Sequence, residues 1–370
     1  MRIQHAKLYK VALPLVEPFR TSYGILDTKT FFLLELTDEL GTVGYGELDA
    51  FLVPDYTEET LDTAAHIIEF LLLPELKKVL LKEPKDVRTL FSWVKGNEMA
   101  KAAIDSACYD LFAKRRGVSL AELLKTKQKK IPVGVSIGIQ NSEEELISSV
   151  RNYVAEGYTR VKIKIKPHAD LSFLQKVREE FPDLLLMADA NSAYTTEQIP
   201  LLKQIDQLNL AMIEQPFSVR DFVNHARLQK QIHTPICLDE NIRSLEDAIQ
   251  AYELQSAKAI NLKIARVGGL TEAILIAQFC EQVGMLVWCG GMLEAGIGRA
   301  FNIALAARSE FHFPGDISAT KRYFKHDIIK KDFELNNGEI EVPQGLGIGV
   351  ELDQKNLQRF TIEERDIVLD

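Results

Sequence analysis

The strictest alternation in the chain is Val161-Lys162-Ile163-Lys164-Ile165, with β-branched residues on one face and lysines on the other. Period two marks a β-strand, whose successive side chains point to opposite faces. The apolar face suits burial under helices; the other face offers two ammonium groups. Exposed edge strands also carry lysines, so this stretch alone leaves both readings open. Four apolar runs downstream, 184–189, 210–214, 235–239 and 259–263, each close on an ionisable residue: Asp189, Glu214, Asp239 and Lys263. From Lys164 the steps are 25, 25, 25 and 24 residues. A strand, a loop and a helix of ordinary length fill about that many. Regular β-α units with a charge ending each strand predict a (β/α)8-type barrel, whose active sites lie at the C-terminal ends of the strands.

The same pattern fills in the remaining elements. Residues 131–136 are the first barrel strand by position, 286–289 the seventh, ending in Gly290-Gly291-Met292, and 311–316 a short eighth. Residues 1–130 do not follow the repeat. Runs 3–13 and 31–37 read as strands, with a turn at 41–47 into a third. A capping-type signal at Thr57-Glu58-Glu59-Thr60 begins a helix. A second helix over 99–114 sets Ala103, Ala107 and Leu111 four apart, a spacing for close packing. Strands followed by helices predict an α+β capping domain over 1–130. It is joined by the tail from about 320 to 370, and the barrel covers 131–319. The stretch 338–352, with Gly345, Gly347 and Gly349, reads as a hairpin.

Length and charge narrow the function. The 370 residues exceed one ordinary domain. Lys+Arg 44 against Asp+Glu 53 gives 44 − 53 = −9, which argues against a general nucleic-acid or anionic-membrane partner. Cys108, Cys237, Cys280 and Cys289 form no C-x-x-C pair, so neither a disulfide framework nor a cysteine zinc site is expected. With no signal-peptide core and no apolar run of membrane-spanning length, a cytoplasmic location is expected.

Strand parity gathers the chemistry. Lys162 and Lys164 share a face, as do Asp189 and Asn191, and Asn261 and Lys263. Inward lysines are costly unless something negative lies between them, and three converging carboxylates need a cation in turn. Asp189, Glu214 and Asp239 match a hard divalent ion that prefers oxygen ligands: Mg²⁺ first, with Mn²⁺ able to substitute. The plainer reading is three acids salt-bridged to nearby lysines. Lysine on both flanks of a metal suggests abstraction of a proton α to a carboxylate, the resulting enediolate being stabilised by the metal. To act as a base the lysine must fall below its usual pKa of about 10.4, and a dication and a second lysine both push that way. A Schiff-base lysine is the rival, but it needs no carboxylate triad.

Lys162-Ile163-Lys164, Asp189-Ala190-Asn191, Glu214-Gln215-Pro216, Asp239-Glu240 and Lys263 resemble the enolase superfamily, in its muconate-lactonising-enzyme-like subgroup. Within that subgroup, Gly96 to Lys101, Trp288 to Glu294, Gly298-Arg299-Ala300 and Gly315 to Thr320 resemble a narrower family. It comprises o-succinylbenzoate synthases and N-succinylamino acid (N-acylamino acid) racemases. The resemblance covers nearly the whole chain. It implies metal ligation by Asp189, Glu214 and Asp239. Lys164 would remove the α-proton and return it to the departing hydroxyl, and Lys263 would stabilise the enediolate. Lys162 would keep the field positive. Asn191, Ser136 and Met292 would line the substrate site, with Ser22 and Tyr56 on the specificity loops. Glu240 would modulate Lys263. Apart from the resemblance, Arg266 lies three residues past Lys263, where a cation would lower the lysine pKa and suit racemase chemistry, or else is a solvated loop arginine. The implied reaction is syn-dehydration of 2-succinyl-6-hydroxy-2,4-cyclohexadiene-1-carboxylate in menaquinone biosynthesis, with racemisation of N-succinylamino acids as a second activity. A dedicated racemase is the alternative, and muconate cycloisomerase or a non-catalytic binding barrel stand further off. A small carboxylate substrate and a homo-oligomer are expected. Asp316-Ile317-Ser318 departs from the D-x-D of dipeptide epimerases, and 124–128 lacks the glycines often found before the first barrel strand.

Overall fold

Residues 1–21 and 24–369 are described by the computed structural model. Two layers face each other. The first is an antiparallel sheet in the order β13-β1-β2-β3, built from β1 (Ile3–Arg20), β2 (Ile25–Asp38), β3 (Val43–Leu48) and, from the far end of the chain, β13 (Thr361–Val368). The helix Glu98–Arg115 lies on this sheet, buried on nearly every side. Its alanines let backbones touch: a Cβ on Gly46 would sit 2.0 Å from the Ala103 carbonyl oxygen. The neighbouring helix begins at Thr60, whose hydroxyl accepts from Thr63 N–H in a capping box.

The second layer is a curled parallel sheet of seven strands in chain order, β5 (Val135–Ile137), β6 (Arg160–Lys164), β7 (Leu185–Asp189), β8 (Ile213–Glu214), β9 (Ile236–Leu238), β10 (Ala259–Leu262) and β11 (Leu286–Cys289). Helices follow the strands, two of them with a serine cap: Ser142 on Glu143–Glu156 and Ser244 on Leu245–Glu253. Met187, Met212, Cys237, Ala259 and Trp288 plug the interior.

Three expectations change. Residues 311–316 form no eighth strand. An irregular segment closes the curl, with Asp316 N–H donating to the Cys289 carbonyl and Gly134 N–H donating to the Gly315 carbonyl. The predicted first barrel strand divides at Val133-Gly134: β4 (Lys130–Pro132) leaves the barrel and β5 stays. Gly134 makes room for the buried Arg160 guanidinium, since a Cβ there would lie 2.2 Å from Nε. The predicted hairpin over 338–352 is absent, because β12 (Glu339–Glu341) pairs antiparallel with β4 instead. In the glycine-poor connection, Lys125 takes φ 56°, a left-handed position where a glycine would be unstrained.

Candidate active site

The charged strand ends meet at the C-terminal rim of the parallel sheet. Register puts Lys164 beside Asp189, and Asp189 beside Glu214. Lys162, one pleat deeper on the same face, reaches three carboxylates: Glu214 Oε2 at 3.0 Å, Asp189 Oδ2 at 3.1 Å and Asp316 Oδ2 at 2.5 Å. Its ammonium also lies 5.1 Å from the centre of the Trp288 ring. Lys164 donates to Asp189 Oδ2 and to Asn191 Oδ1, both at 2.6 Å.

Across the curl, Lys263 follows β10 and donates to Asp239 Oδ2 at 3.0 Å and to the Tyr56 hydroxyl at 2.9 Å. Arg266 is buried rather than solvated. Its guanidinium pairs with Asp239 and donates to the Tyr56 hydroxyl at 2.9 Å and the Asn261 carbonyl at 2.5 Å. Glu240 accepts from Asn191 Nδ2 at 3.1 Å. It reaches Lys263 through its field.

Asp189, Glu214 and Asp239 are all buried. Each turns to a cation, and among the described residues no three Asp, Glu, His or Cys side chains converge closely enough to share one ion. The convergence expected from strand spacing is therefore replaced here by ion pairs. The donor set nevertheless fits a hard divalent ion in kind. It is all oxygen and sits on consecutive strand ends, and a buried Asn261 Oδ1 has no partner among the described residues although its Nδ2 donates to Glu214 at 2.7 Å.

Lys162 and Lys263 stand above the ordinary ammonium value. Burial alone would lower Lys162, but Asp316, Glu214 and Asp189 carry it above the ordinary ammonium value. Burial would lower Lys263 as well, and Tyr56, Glu240 and Glu214 reverse it. In the opposite sense, burial would raise Asp189, yet Lys164 and Lys162 hold it at about 2. Burial and the adjacent Asp189 raise Glu214.

A cavity of about 540 Å³ opens between the two layers. Lys162, Lys164, Lys263, Asn191, Ser136 and Met292 border it, as does Tyr56. Ser136 Oγ is buried there without a hydrogen-bond partner among the described residues. Phe19 borders it from the end of β1, and Thr21 and Gly24 from the connection to β2, while Ser22 lies outside the described residues. Two residues were missed. Asp316, anchored by Arg160 at 2.7 Å, adds a third acid beside Lys162. Asn261 binds Glu214. Asn261 shares its face with Lys263, a signal parity already carried. Asp316 lies on an irregular segment with no alternation to mark its side.

The sequence and fold match known proteins throughout. Residues 3–125 match the mandelate racemase / muconate lactonizing enzyme N-terminal domain, and 145–356 match the enolase C-terminal domain-like family. An o-succinylbenzoate synthase of Listeria innocua is 55% identical over 369 residues, 100% of this chain and 99% of that one. An N-succinylamino acid racemase of Thermus thermophilus is 42% identical, covering 99% of each. A crystal structure of an enolase-superfamily protein from Listeria innocua superposes with a TM-score of 0.98 at 55% identity, covering all of both chains. Carboxylate-ended barrel strands flanked by lysines, on a chain matched along nearly its full length, place this protein in the enolase superfamily, within the mandelate racemase and muconate lactonizing enzyme family.

Proposed function

We propose that this chain is an o-succinylbenzoate synthase that also racemises N-succinylamino acids on the same residues. One observation carries the reading: Lys164 and Lys263, on strand ends four places apart in the sheet (β6 and β10), border one cavity, each bonded to its own buried aspartate. Relatives named o-succinylbenzoate synthase at 43–55% identity support it.

Asp189, Glu214 and Asp239 would hold Mg²⁺, with Mn²⁺ as a substitute. When bound, the ion supplies positive charge for the substrate carboxylate. Lys164, as the neutral amine, takes the proton α to that carboxylate. The lysine then gives it to the departing hydroxyl, which leaves as water, so the proton count closes on one residue. Lys263, held as ammonium by Tyr56, Glu240 and Glu214, faces the negative charge that builds on the carboxylate oxygens. Lys162 is tied to three acids and has no free role as a base; it keeps the field positive. In racemisation one lysine removes the α-proton and the other returns it. The buried Arg266 beside Asp239 and Tyr56 favours this second activity, because a guanidinium there opposes the charge of Lys263.

The test is a paired assay with Mg²⁺, following dehydration of the cyclohexadiene acid by absorbance and α-proton exchange of N-succinylphenylglycine in D₂O by NMR. Dehydration with exchange at both enantiomers supports the proposal. Exchange without dehydration would make the chain a dedicated racemase, and neither reaction would remove the assignment.

A further inference from the structure

Gly291, Met292 and Leu293 form one wall of the cavity. Leu293 has φ 61°, in the left-handed region that a leucine seldom adopts. Such strain persists only where the surroundings hold it, and it gathers at ligand clamps. Two bonds to Met292 hold this turn. Its N–H donates to Glu294 Oε1 at 2.8 Å, and its carbonyl accepts from Lys29 Nζ at 2.8 Å. Lys29 comes from β2 in the antiparallel layer and is fully buried. An ammonium without water is costly unless it is well partnered. Its other partners are the Asp49 carbonyl at 3.4 Å, Asp49 Oδ1 at 3.3 Å and the ring of Phe51 at 5.0 Å, itself a cavity residue. The Met292 side chain packs into the core of the antiparallel layer, not that of the barrel.

We infer that Lys29 and Glu294 clamp the Met292–Leu293 wall in its strained shape, and that Lys29 is a positioning residue which sets acyl-group selectivity from the antiparallel layer. This rests on reading the cavity as the substrate site. The clamp holds backbone, so its loss widens the wall without removing a group that reacts.

The experiment is a double-mutant cycle on Lys29→Met and Leu293→Asn. Lys29→Met should raise KM for N-succinylphenylglycine about tenfold with kcat changed less than about threefold. It should also shift the kcat/KM ratio of N-succinyl- to N-acetylphenylglycine by about fivefold. Asparagine tolerates positive φ, so in the Leu293→Asn background the same change should move that ratio by less than about twofold. A purely structural lysine would cost the same in both backgrounds, and that result would overturn the inference. Should Lys29→Met fail to fold, Lys29→Arg replaces it. It keeps the charge beside Asp49 but presents a planar fork in place of the single ammonium, and an unchanged acyl ratio would again be decisive against the clamp. A wild-type protein inactive in both reactions would overturn the functional reading alone. Amide hydrogen exchange over 290–295 then decides the clamp: Lys29→Arg should speed it, and unaltered protection would contradict it.

Discussion

Lys164 and Lys263 border the same cavity on the same kind of partner, a buried strand-end aspartate, yet their surroundings differ. Lys164 is held by Asp189 and Asn191, both from the adjoining strand end, and about 10% of its side chain is exposed. Lys263 is held by Asp239 and by Tyr56, which arrives from the first layer, with the Arg266 guanidinium on the same two partners. One lysine is built by local sequence, the other by a contact across 207 residues. On the proposed reading, this difference separates the roles: the lysine set by its own strands would carry the proton of dehydration, and the lysine contacted from the other layer would meet the developing charge.

The largest test of this comparison removes each amine. Lys164→Ala and Lys263→Ala should each lower dehydration and racemisation by about a thousandfold or more while circular dichroism stays native. Normal turnover in either would break the pairing. Arg266→Gln should act on one side only, slowing exchange at the enantiomer served by Lys263 by about ten- to a hundredfold and dehydration by much less. Equal losses in both reactions would mean that Arg266 merely supports Asp239. Tyr56→Phe keeps the ring over Lys263 but removes the hydroxyl, which should cost about tenfold on the Lys263 side, measured as single-enantiomer exchange.

The smallest effect lies outside both lysines. His225, which accepts from Phe217 N–H at 3.2 Å in the segment after Glu214, is buried, and that burial lowers its pKa to about 4 from 6.5. A depressed histidine leaves the unfolded chain binding the extra proton, so stability is full above pH 6.5 and falls as pH drops towards 4, by at most roughly 3 kcal/mol. Urea midpoints at pH 7 and pH 5 should show this fall in the wild type and a weaker one in His225→Asn. The ratio of the two lysine activities should stay unchanged.

What the sequence made legible follows the same division. The strand period and the 25-residue step located Lys164, Asp189, Glu214, Asp239 and Lys263, because each sits where alternation meets a strand end, and the same alternation placed Lys162 one pleat deeper. Parity also placed Asn261 facing inward. Tyr56 was named through family resemblance and Arg266 from its place three residues past Lys263; no strand alternation carries either, since their bonds to Asp239 and to each other close between separate loops. Asp316 and Lys29 escaped for the same reason. One lies on an irregular closing segment, and the other is a lone lysine in a strand whose neighbours gave no hint of full burial. Pairing of β12 with β4 displaced the predicted hairpin because a long-range partner outcompeted the local turn. The ion pairs that turn each carboxylate to a cation depend on side-chain direction, which spacing does not specify.

The most direct measurement is α-proton wash-out from each enantiomer of N-succinylphenylglycine in D₂O, followed by NMR with Mg²⁺, in the wild type, Lys164→Ala and Lys263→Ala. Two lysines acting from opposite faces predict exchange at both enantiomers in the wild type and its loss after chelation. Each variant should retain wash-out from one enantiomer only, a different one in each. Wild-type exchange at both enantiomers in either variant, or full activity in the chelated protein, would contradict the account.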